Sequence, residues 1–462
     1  MAAVSPNLLE REETWDPQVF CGGILPLLSL PDERVVTIDG VDVVEGQRSE
    51  EGLKNPGPIY RVSNVGGLEL GMDSEHYSSP VSAGDRCVVP GDIVVSKIAP
   101  VRASIATSSV FRHPVDANCC IVRGLGVATG FWFALCINQP AFGEYLVRKS
   151  GAAIVPRVAA DALKSIRLPK PPAAIAAVSH RVNQCIERRL LNQVELFRFF
   201  DIVRKELESL LPESSNGKTS IGADATTWFR FFPPADIEDS WVPGHVAVNG
   251  YQRHLKRDAG WNSIRYLTAK SLGGRRITDS GESVCTLLLS DVDDDLTVTR
   301  SQMHADVSAS RRVYAEPLQA DEVLLSALVT RPRVVFVGQK PSRPIHPTDH
   351  WHRLRFHETP GAWAAVLNDA AIHEQLGRLA IGTVQQFAPP WTISKLVLPG
   401  IPLETRRKWD AFLRRWQQNR LDIQLEWVRL MSDAYELLRE THRDCGSWSV
   451  PPAVFDGENC FS

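Results

Sequence analysis

Residues 91–96 read Gly-Asp-Ile-Val-Val-Ser, a turn residue and an acidic residue followed by a short apolar run. This pattern predicts a tight turn leading into a buried strand. A similar segment, Ala-Asp-Glu-Val-Leu-Leu-Ser, occupies positions 320–326 in the second half, where Asp321 matches Asp92. The same turn and strand are therefore expected twice in the chain.

Three further pairs of segments keep the same order along the two halves. Trp-Asp-Pro at 15–17 matches Trp-Val-Pro at 241–243, and Val-Ser-Asn-Val at 62–65 matches Leu-Ser-Asp-Val at 289–292. The Leu-Pro pair at 168–169 with Pro172 matches Leu-Pro at 398–399 with Pro402. The offset between partners is nearly constant and far longer than the period of a solenoid repeat. The sequence thus predicts a tandem duplication of one domain, which suggests two similar ligands or one ligand with two halves.

Each half ends in a segment with the apolar spacing of a long helix. From 173 to 211, without Pro or Gly, apolar side chains recur every three or four residues, as in a helix with one packing seam. A similar seam follows Pro402 and is interrupted at Asn419 and Arg420. Each helix would have about 40 residues and a length of ~60 Å. The largest predicted packing residues are Phe197, Phe200, Trp409, Trp416 and Trp427.

An apolar seam of this size needs a partner. Each helix could pack on its own domain. Because ~60 Å is longer than a domain of this size, we expect instead that the two helices pair as an antiparallel coiled coil.

The predicted fold class is α+β. Apolar runs at 87–89, 93–95 and 334–337 indicate strands, and residues 131–137 and 363–367 indicate short helices at matching places. The predicted segments are a first mixed domain at 1–172, a first long helix at 173–212, a linker at 213–221, a second mixed domain at 222–402, a second long helix at 403–440 and a C-terminal tail at 441–462.

Composition limits the class of protein. The chain has 462 residues, enough for two cores, with 44% hydrophobic and 23% charged residues, as in ordinary soluble proteins. We expect no membrane span and no signal peptide. Nine cysteines without a paired framework indicate free thiols in a reducing compartment, so we expect a cytoplasmic protein. The net charge of −3 shows no overall basic excess, although local basic patches are sufficient for DNA binding.

Candidate catalytic motifs are weak. Gly-Lys-Thr-Ser at 217–220 lacks the upstream glycine of a phosphate-binding loop, because position 212 is Pro. Phe-Ala-Pro-Pro-Trp at 387–391 resembles an amino-methyltransferase motif, but Ala388 cannot accept the hydrogen bonds that motif supplies. The spacing of His346, His350, His352 and His357 matches no familiar metal site. We expect no catalytic residues, no metal and no cofactor.

Basic residues nevertheless cluster in predicted loops. Arginine reads guanine edges through paired hydrogen bonds, and both Lys and Arg bind phosphates, although loop charges are more often simply solvated. The candidate DNA contacts are Lys97, Arg102, Arg112, Arg157, Arg275, Arg276, Arg312 and Lys340.

At this point the sequence resembles a known family, the specificity subunits of type I restriction–modification enzymes. Residues 59–65 (Ile-Tyr-Arg-Val-Ser-Asn-Val), 91–97 (Gly-Asp-Ile-Val-Val-Ser-Lys) and 163–172 (Leu-Lys-Ser-Ile-Arg-Leu-Pro-Lys-Pro-Pro) are similar to three ordered motifs of that family. The second half matches more weakly, and the Glu-Gln pair that usually follows the prolines is replaced by Ala173-Ala174 and Leu403-Glu404. The chain therefore looks like a divergent member.

The resemblance implies two target-recognition domains, each followed by a long helix, in a non-catalytic subunit. Its implied partners are double-stranded DNA, DNA adenine methyltransferase (modification) subunits that bind the helices, and a motor–nuclease restriction subunit. Each half would read one half of a bipartite target, and the helices would set the unread spacer. The alternative is an interaction scaffold of a phage-defence complex that kept this architecture without reading DNA. The net charge and the eroded second-half motifs favour that alternative.

Overall fold

The computed structural model describes residues 34–38, 41–46, 58–80, 84, 86–150, 157–164, 166–210, 262–264, 284–292, 302–304, 313–330, 332–381 and 386–443. The chain forms two compact units, residues 1–197 with 422–456, and residues 198–421 with 457–462. These boundaries fall inside the long helices, whereas the sequence places its domain boundaries at the helix ends. The division follows packing, because segments of both helices share the core of the first unit.

The first unit is built on one antiparallel sheet. Its strands are Asp42–Glu45 (β2), Ile93–Ser96 (β3), Ala103–Ile105 (β4) and Cys119–Arg123 (β5), in the order β2-β5-β3-β4. A separate pair joins Val35–Thr37 (β1) to Arg167–Pro169 (β6). Every residue of β3 is buried, as an uninterrupted apolar run in a central strand requires. The predicted strand at 93–95 is therefore confirmed.

Helices cover this sheet and complete the first core. They are Ser74–Ser78 (α1), Val127–Ile137 (α2), Pro140–Lys149 (α3), Ala160–Lys164 (α4) and the long helix Ile175–Ser209 (α5). All residues of α2 from 130 to 137 are buried, which confirms the predicted short helix. Pro140 stands at the first turn of α3, where its missing N–H costs no hydrogen bond.

The described part of the second unit contains three small sheets. Its strands are Asn262–Ser263 (β7), Val284–Leu287 (β8), Gln302–His304 (β9), Glu322–Ser326 (β10), Val334–Val337 (β11), Ile345–Pro347 (β12), Trp351–Arg355 (β13) and Val397–Leu398 (β14). The strand orders are β11-β10-β13, β12-β8-β9 and β14-β7. Only β12 and β8 pair in parallel among the described strands. The predicted strand at 334–337 is confirmed as β11.

Four described helices belong to the second half of the chain. They are Pro360–Leu367 (α6), Ala370–Leu379 (α7), Pro390–Ile393 (α8) and the long helix Leu403–Arg443 (α9). All eight residues of α6 are buried, which confirms the predicted short helix at 363–367. The central strand β10 pairs with β11 and β13 just as β3 pairs with β4 and β5. The mixture of helices and antiparallel strands agrees with the predicted α+β class.

The matching segments at 62–65 and 289–292 adopt the same turn. Val62–Asn64 and Leu289–Asp291 are both 3-10 helices. The side chain of Asn64 accepts a hydrogen bond from the backbone N–H of Arg61, and that of Asp291 accepts one from Leu288, both at 2.8 Å. Asn and Asp are interchangeable here because each supplies the side-chain oxygen that closes the turn.

The long helices bury a seam that differs in part from the predicted one. Trp409, Trp416 and Trp427 are buried, but Phe197 and Phe200 are only half-buried. The buried positions of this stretch are Leu196 and Phe199 instead. A straight α-helix drifts relative to a strict heptad spacing, so the buried face moves to neighbouring residues along the helix. Phe197 instead packs near Tyr77 of its own domain, with ring centroids 5.8 Å apart.

Candidate nucleic-acid interface

Three of the candidate DNA contacts lie together at one end of the first sheet. The turn from β3 to β4 is closed by Ser96, whose backbone N–H donates to the carbonyl of Arg102 at 2.9 Å. Arg157 runs alongside this turn through a backbone bridge to Ile98, and the N–H of Val158 donates to the carbonyl of Lys97 at 2.8 Å. Strand pairing therefore places Lys97, Arg102 and Arg157 at the same edge, although the first and the last are far apart in the sequence.

These three side chains differ in solvent exposure and in ion pairing. Lys97 is largely buried, with 13% of its side chain exposed, and forms an ion pair with Glu45. Arg102 and Arg157 are exposed. The accessible positive charge at this edge therefore comes from the two arginines, because the charge of Lys97 is already compensated.

Arg112 lies at the opposite end of the sheet. The N–H of Val88 donates to the carbonyl of His113 at 3.0 Å, which brings Arg112 beside Cys87. Burial raises the pKa of the Cys87 thiol, and the nearby charges of Arg112 and Arg123 oppose that rise. Arg112 is thus not joined to Lys97, Arg102 and Arg157, and it shares its end of the sheet with Arg123.

Arg123 and Asp92 form an ion pair that the sequence interpretation missed. Asp92 is 1% exposed, and its two carboxylate oxygens accept hydrogen bonds from the Nε and Nη2 of Arg123 at 2.9 and 2.8 Å. The carboxylate also accepts from the N–H of Val89 at 2.8 Å. Arg123 further donates to the carbonyl of Cys87 at 2.9 Å. The pair fixes the loop before β3 to the end of β5.

The second unit has a related group around Glu322. This carboxylate is fully buried and lies against Arg353, which is 1% exposed, with the closest nitrogen–oxygen distance 2.7 Å. Arg355 is a second partner at 2.7 Å, and 41% of its side chain is exposed. Glu322 also accepts from the N–H of Gln319 at 3.3 Å, as Asp92 does from Val89.

This geometry corrects the sequence alignment of the two turns. Glu322, and not Asp321, occupies the place of Asp92, so the alignment shifts by one position here. A sequence signal for both groups did exist. Arginines within the buried strands β5 and β13 face an acidic residue at the entry of the neighbouring strand, and buried charges must be paired.

The remaining candidates of the second half are less fully placed. Lys340 is exposed and follows β11 in the loop that begins at Gly338. Arg275, Arg276 and Arg312 lie outside the described residues. Whether they contact nucleic acid stays a prediction.

The other motifs have structural partners. His352 is buried and hydrogen bonds to the carbonyl of Ala388 at 2.8 Å, and His346 bonds to the carbonyl of Tyr314 at 3.0 Å. His350 and His357 are exposed. Among the described residues no group of three His, Cys, Asp or Glu side chains is arranged to hold a metal ion. Residues 217–220 lie outside the described part of the chain.

In each unit the domain is attached to a long helix through polar contacts. In the first unit, Arg189 of α5 pairs with Glu69 at 2.6 Å, and Glu187 accepts hydrogen bonds from Ser108 and Ser109. In the second, Gln418 of α9 accepts a hydrogen bond from Gln339. Both helices therefore contact the loop that follows the second strand of the neighbouring hairpin.

Comparison with known proteins gives limited similarity. No protein-family model and no curated protein matches the sequence. Solved structures that resemble the chain include the type I restriction–modification S subunit from M. genitalium. It has a TM-score of 0.39 at 14% identity, over 89% of this chain and 97% of that one.

Two further structures have lower TM-scores. A chain from a structure of type I R-M complex assembly has a TM-score of 0.25 at 13% identity, over 89% and 96% of the two chains. The HsdS subunit from Thermoanaerobacter tengcongensis has a TM-score of 0.24 at 15% identity, over 89% and 95%. None of the described helices has the length and apolar character needed to cross a membrane.

Proposed function

We propose that this chain is the non-catalytic DNA-recognition subunit of a type I-like restriction–modification complex. The observation that carries the proposal is the recurrence of one scaffold in both units. Each has a central strand with a hairpin partner, a buried carboxylate–arginine group at the strand entry, and a following long helix. The segment 91–97, which resembles one motif of the specificity-subunit family, forms the strand entry and the central strand of this scaffold in the first unit.

A tandem duplication explains why the scaffold occurs twice, and it gives each half its own half-site. In the first half, Arg102 and Arg157 supply exposed guanidinium groups at one sheet edge, and Arg112 supplies one at the other. In the second, Lys340 is the described candidate. Arginines and lysines in such loops bind phosphates or base edges, whereas the buried scaffold keeps those loops in position.

The long helices form the antiparallel coiled coil that sets the spacer between the half-sites. Contacts within the first unit support this pairing. Arg181 lies 3.9 Å from Asp433, and Arg188 forms an ion pair with Glu426. Residues later in α5 therefore contact residues earlier in α9, as in an antiparallel pair. Within the second unit, Phe199 stacks on Phe412 with ring centroids 4.4 Å apart.

Methyl transfer and cleavage would belong to separate subunits. The chain lacks the sequence motifs for these reactions, and Ala388 is buried with its carbonyl bonded to His352. DNA adenine methyltransferase subunits bound to the helices, and a motor–nuclease subunit, would complete the complex.

The competing function is an interaction scaffold for phage defence that does not read DNA. The net charge of −3 and the neutralisation of Lys97 by Glu45 favour it. The two functions differ in one measurable property, which is enrichment of a split sequence from a random pool of duplex DNA.

The test is a selection of bound duplexes by the full chain copurified with its methyltransferase subunits. We expect two short specific blocks separated by a fixed unread spacer. Exchanging residues 1–172 for the matching region of a similar protein should change one block and leave the spacer. A single uninterrupted site, or no enrichment, would overturn the two-reader function and support the scaffold.

A further inference from the structure

The two strand-entry ion-pair groups differ in the number of arginines that bind the carboxylate. In the first unit, Asp92 has one arginine partner, Arg123. In the second, Glu322 has two, Arg353 and Arg355. Among the described residues, the first carboxylate is thus bound by one arginine and the second by two.

Arg353 by itself satisfies the buried carboxylate. Its Nη2 lies 2.7 Å from both oxygens of Glu322, and its Nε lies 3.2 Å from one of them. Nη1 donates to the carbonyl of Glu316 at 2.7 Å, and Nη2 also lies 3.2 Å from the carbonyl of Pro317. Arg353 thus binds the buried carboxylate and a loop carbonyl in the second unit, as Arg123 does in the first.

Arg355 stands at the strand position that matches Arg123. Arg355 is directly opposite Glu322 in the β10–β13 register. Val122 is opposite Ile93 in the antiparallel β3–β5 pair, so Arg123, one residue later, comes opposite Asp92. Because Arg353 already compensates the carboxylate, the charge of Arg355 is not needed to bury Glu322. Its guanidinium uses Nε and Nη2 to bind one oxygen of Glu322, at 2.9 and 2.7 Å.

The Nη1 group of Arg355 donates to no residue in the described part of the chain, and 41% of the side chain is exposed. Attachment to a buried carboxylate restricts the rotamers of this long side chain. An arginine held in this way loses less conformational entropy when it binds an anion, and its planar N–H groups fit a phosphate.

We propose that Arg355 is a phosphate-binding residue for the backbone of double-stranded DNA, whereas Arg123 at the matching position of the first unit is the arginine that binds the buried carboxylate. The proposal deepens the proposed function and rests on it. It gives the second half a sequence-independent anchor.

The test measures binding of the full chain to a fluorescent random-sequence duplex over a series of salt concentrations. Each phosphate contact contributes about 0.9 to the slope of log affinity against log salt. Arg355→Gln should lower this slope by about one, and Arg355→Lys should retain most of it because the charge remains.

Arg439→Gln is the matched control. Arg439 is 43% exposed and pairs with Glu436 at 3.2 Å, so the same charge is lost from a similar surface position. We expect the control to keep the wild-type slope. Equal melting temperatures of Arg355→Gln and Arg439→Gln would show that the loss of binding is not unfolding. If Arg355→Gln is destabilised, the slopes are compared at a temperature at which both variants are fully folded, and a wild-type slope for Arg355→Gln there overturns the assignment.

The outcomes separate this inference from the proposed function. A wild-type salt slope for Arg355→Gln, or a loss of affinity confined to one DNA sequence, would overturn the phosphate assignment. If the duplex selection still yields a split site, the proposed DNA recognition is unaffected by that result. Loss of slope without any selected sequence would support the anchor and reject sequence reading. No binding of the wild-type chain to duplex DNA would reject both.

Discussion

Asp321 adopts the left-handed backbone conformation that Gly91 adopts at the same turn of the other unit. Their φ angles are +67° and +92°, and their N–H groups donate to the carbonyls of Val337 and Ala106 at 2.7 and 2.8 Å. Asp tolerates this region better than most residues, because its short polar side chain forms local hydrogen bonds. Asp321 also pairs with Arg414 at 2.6 Å. The turn is thus retained although the glycine is lost.

Substituting Gly91 should therefore have a backbone cost that depends on the new residue. A Cβ at this position would meet no atom within 4 Å, so Gly91→Val should lose stability through φ alone, by roughly 1–2 kcal/mol. Gly91→Asp should lose less. Gly66→Val is the control, because Gly66 also has open space but no positive φ. Thermal unfolding of the three variants measures the order, and equal losses at both positions would contradict it.

Removing a strand-entry carboxylate should be costly in either unit. Asp92→Asn removes the buried charge that Arg123 binds, and breaking a buried pair typically costs about 3 kcal/mol. Glu322→Gln should cost more, because two arginines lose their partner there. Glu374→Gln, at an exposed pair with Arg378, should change stability by less than about 1 kcal/mol. Chemical unfolding compares the three, and a neutral Glu322→Gln would count against the assignment.

The long-helix seam predicts a sharp contrast between neighbouring residues. Trp416→Asp and Phe199→Asp each place a carboxylate among buried side chains, which should cost several kcal/mol. Phe200→Asp should cost less because Phe200 is half-buried. Ile202→Asp is the control, since Ile202 is 59% exposed on the same helix. Solubility and melting temperature report the result, and equal behaviour of all four variants would show that this seam is not packed.

The buried histidine of the second unit should make stability depend on pH. Burial lowers the pKa of His352 below 6.5, and its bond to Ala388 only partly opposes this. As pH falls below about 6.5 the unfolded chain takes up a proton that the folded chain resists, so stability decreases from that pH downward. His352→Gln, which still offers a donor to Ala388, should flatten the decrease. Melting temperatures from about pH 8 to about pH 5 test this, and parallel curves would contradict it.

DNA affinity should depend on the exposed arginines of the first unit more than on Lys97. Arg102→Gln should reduce the salt slope of binding by about one. The double variant Lys97→Gln with Glu45→Gln keeps the net charge and removes an ion pair that is already neutral, so it should bind like wild type. Binding titrations at several salt concentrations distinguish the two. A larger loss for the double variant would place the contact at Lys97.

Much of the local structure follows from sequence because it depends on neighbouring residues. The apolar run at 93–95 and the echoed turns at 62–65 and 289–292 fold as their patterns predict. Long-range charge pairing does not follow. Glu45 lies 52 residues from Lys97, and the sequence gives no sign that this lysine is compensated.

The helix seam and the second carboxylate group show the same limit. A spacing of three or four residues identifies a helix face but does not determine whether Phe199 or Phe200 lies deepest. Similarly, the extra methylene of Glu322 compared with Asp92 accompanies a second arginine partner, Arg353, two residues before the position that matches Arg123. Such exchanges depend on side-chain geometry in three dimensions.

The hairpin turns that begin at Ser96 and Ser326 are each closed by a hydrogen bond between their first and last residues. The Ser96 hydroxyl accepts from the N–H of Arg102, six residues on, and the Ser326 hydroxyl accepts from Arg333, seven residues on, both at 2.9 Å. A serine at the start of each turn thus closes turns of two different lengths through the same type of hydrogen bond. Insertions or deletions within these turns should therefore leave the strand pairing intact, so the length of this loop can vary while the strands that anchor it stay fixed.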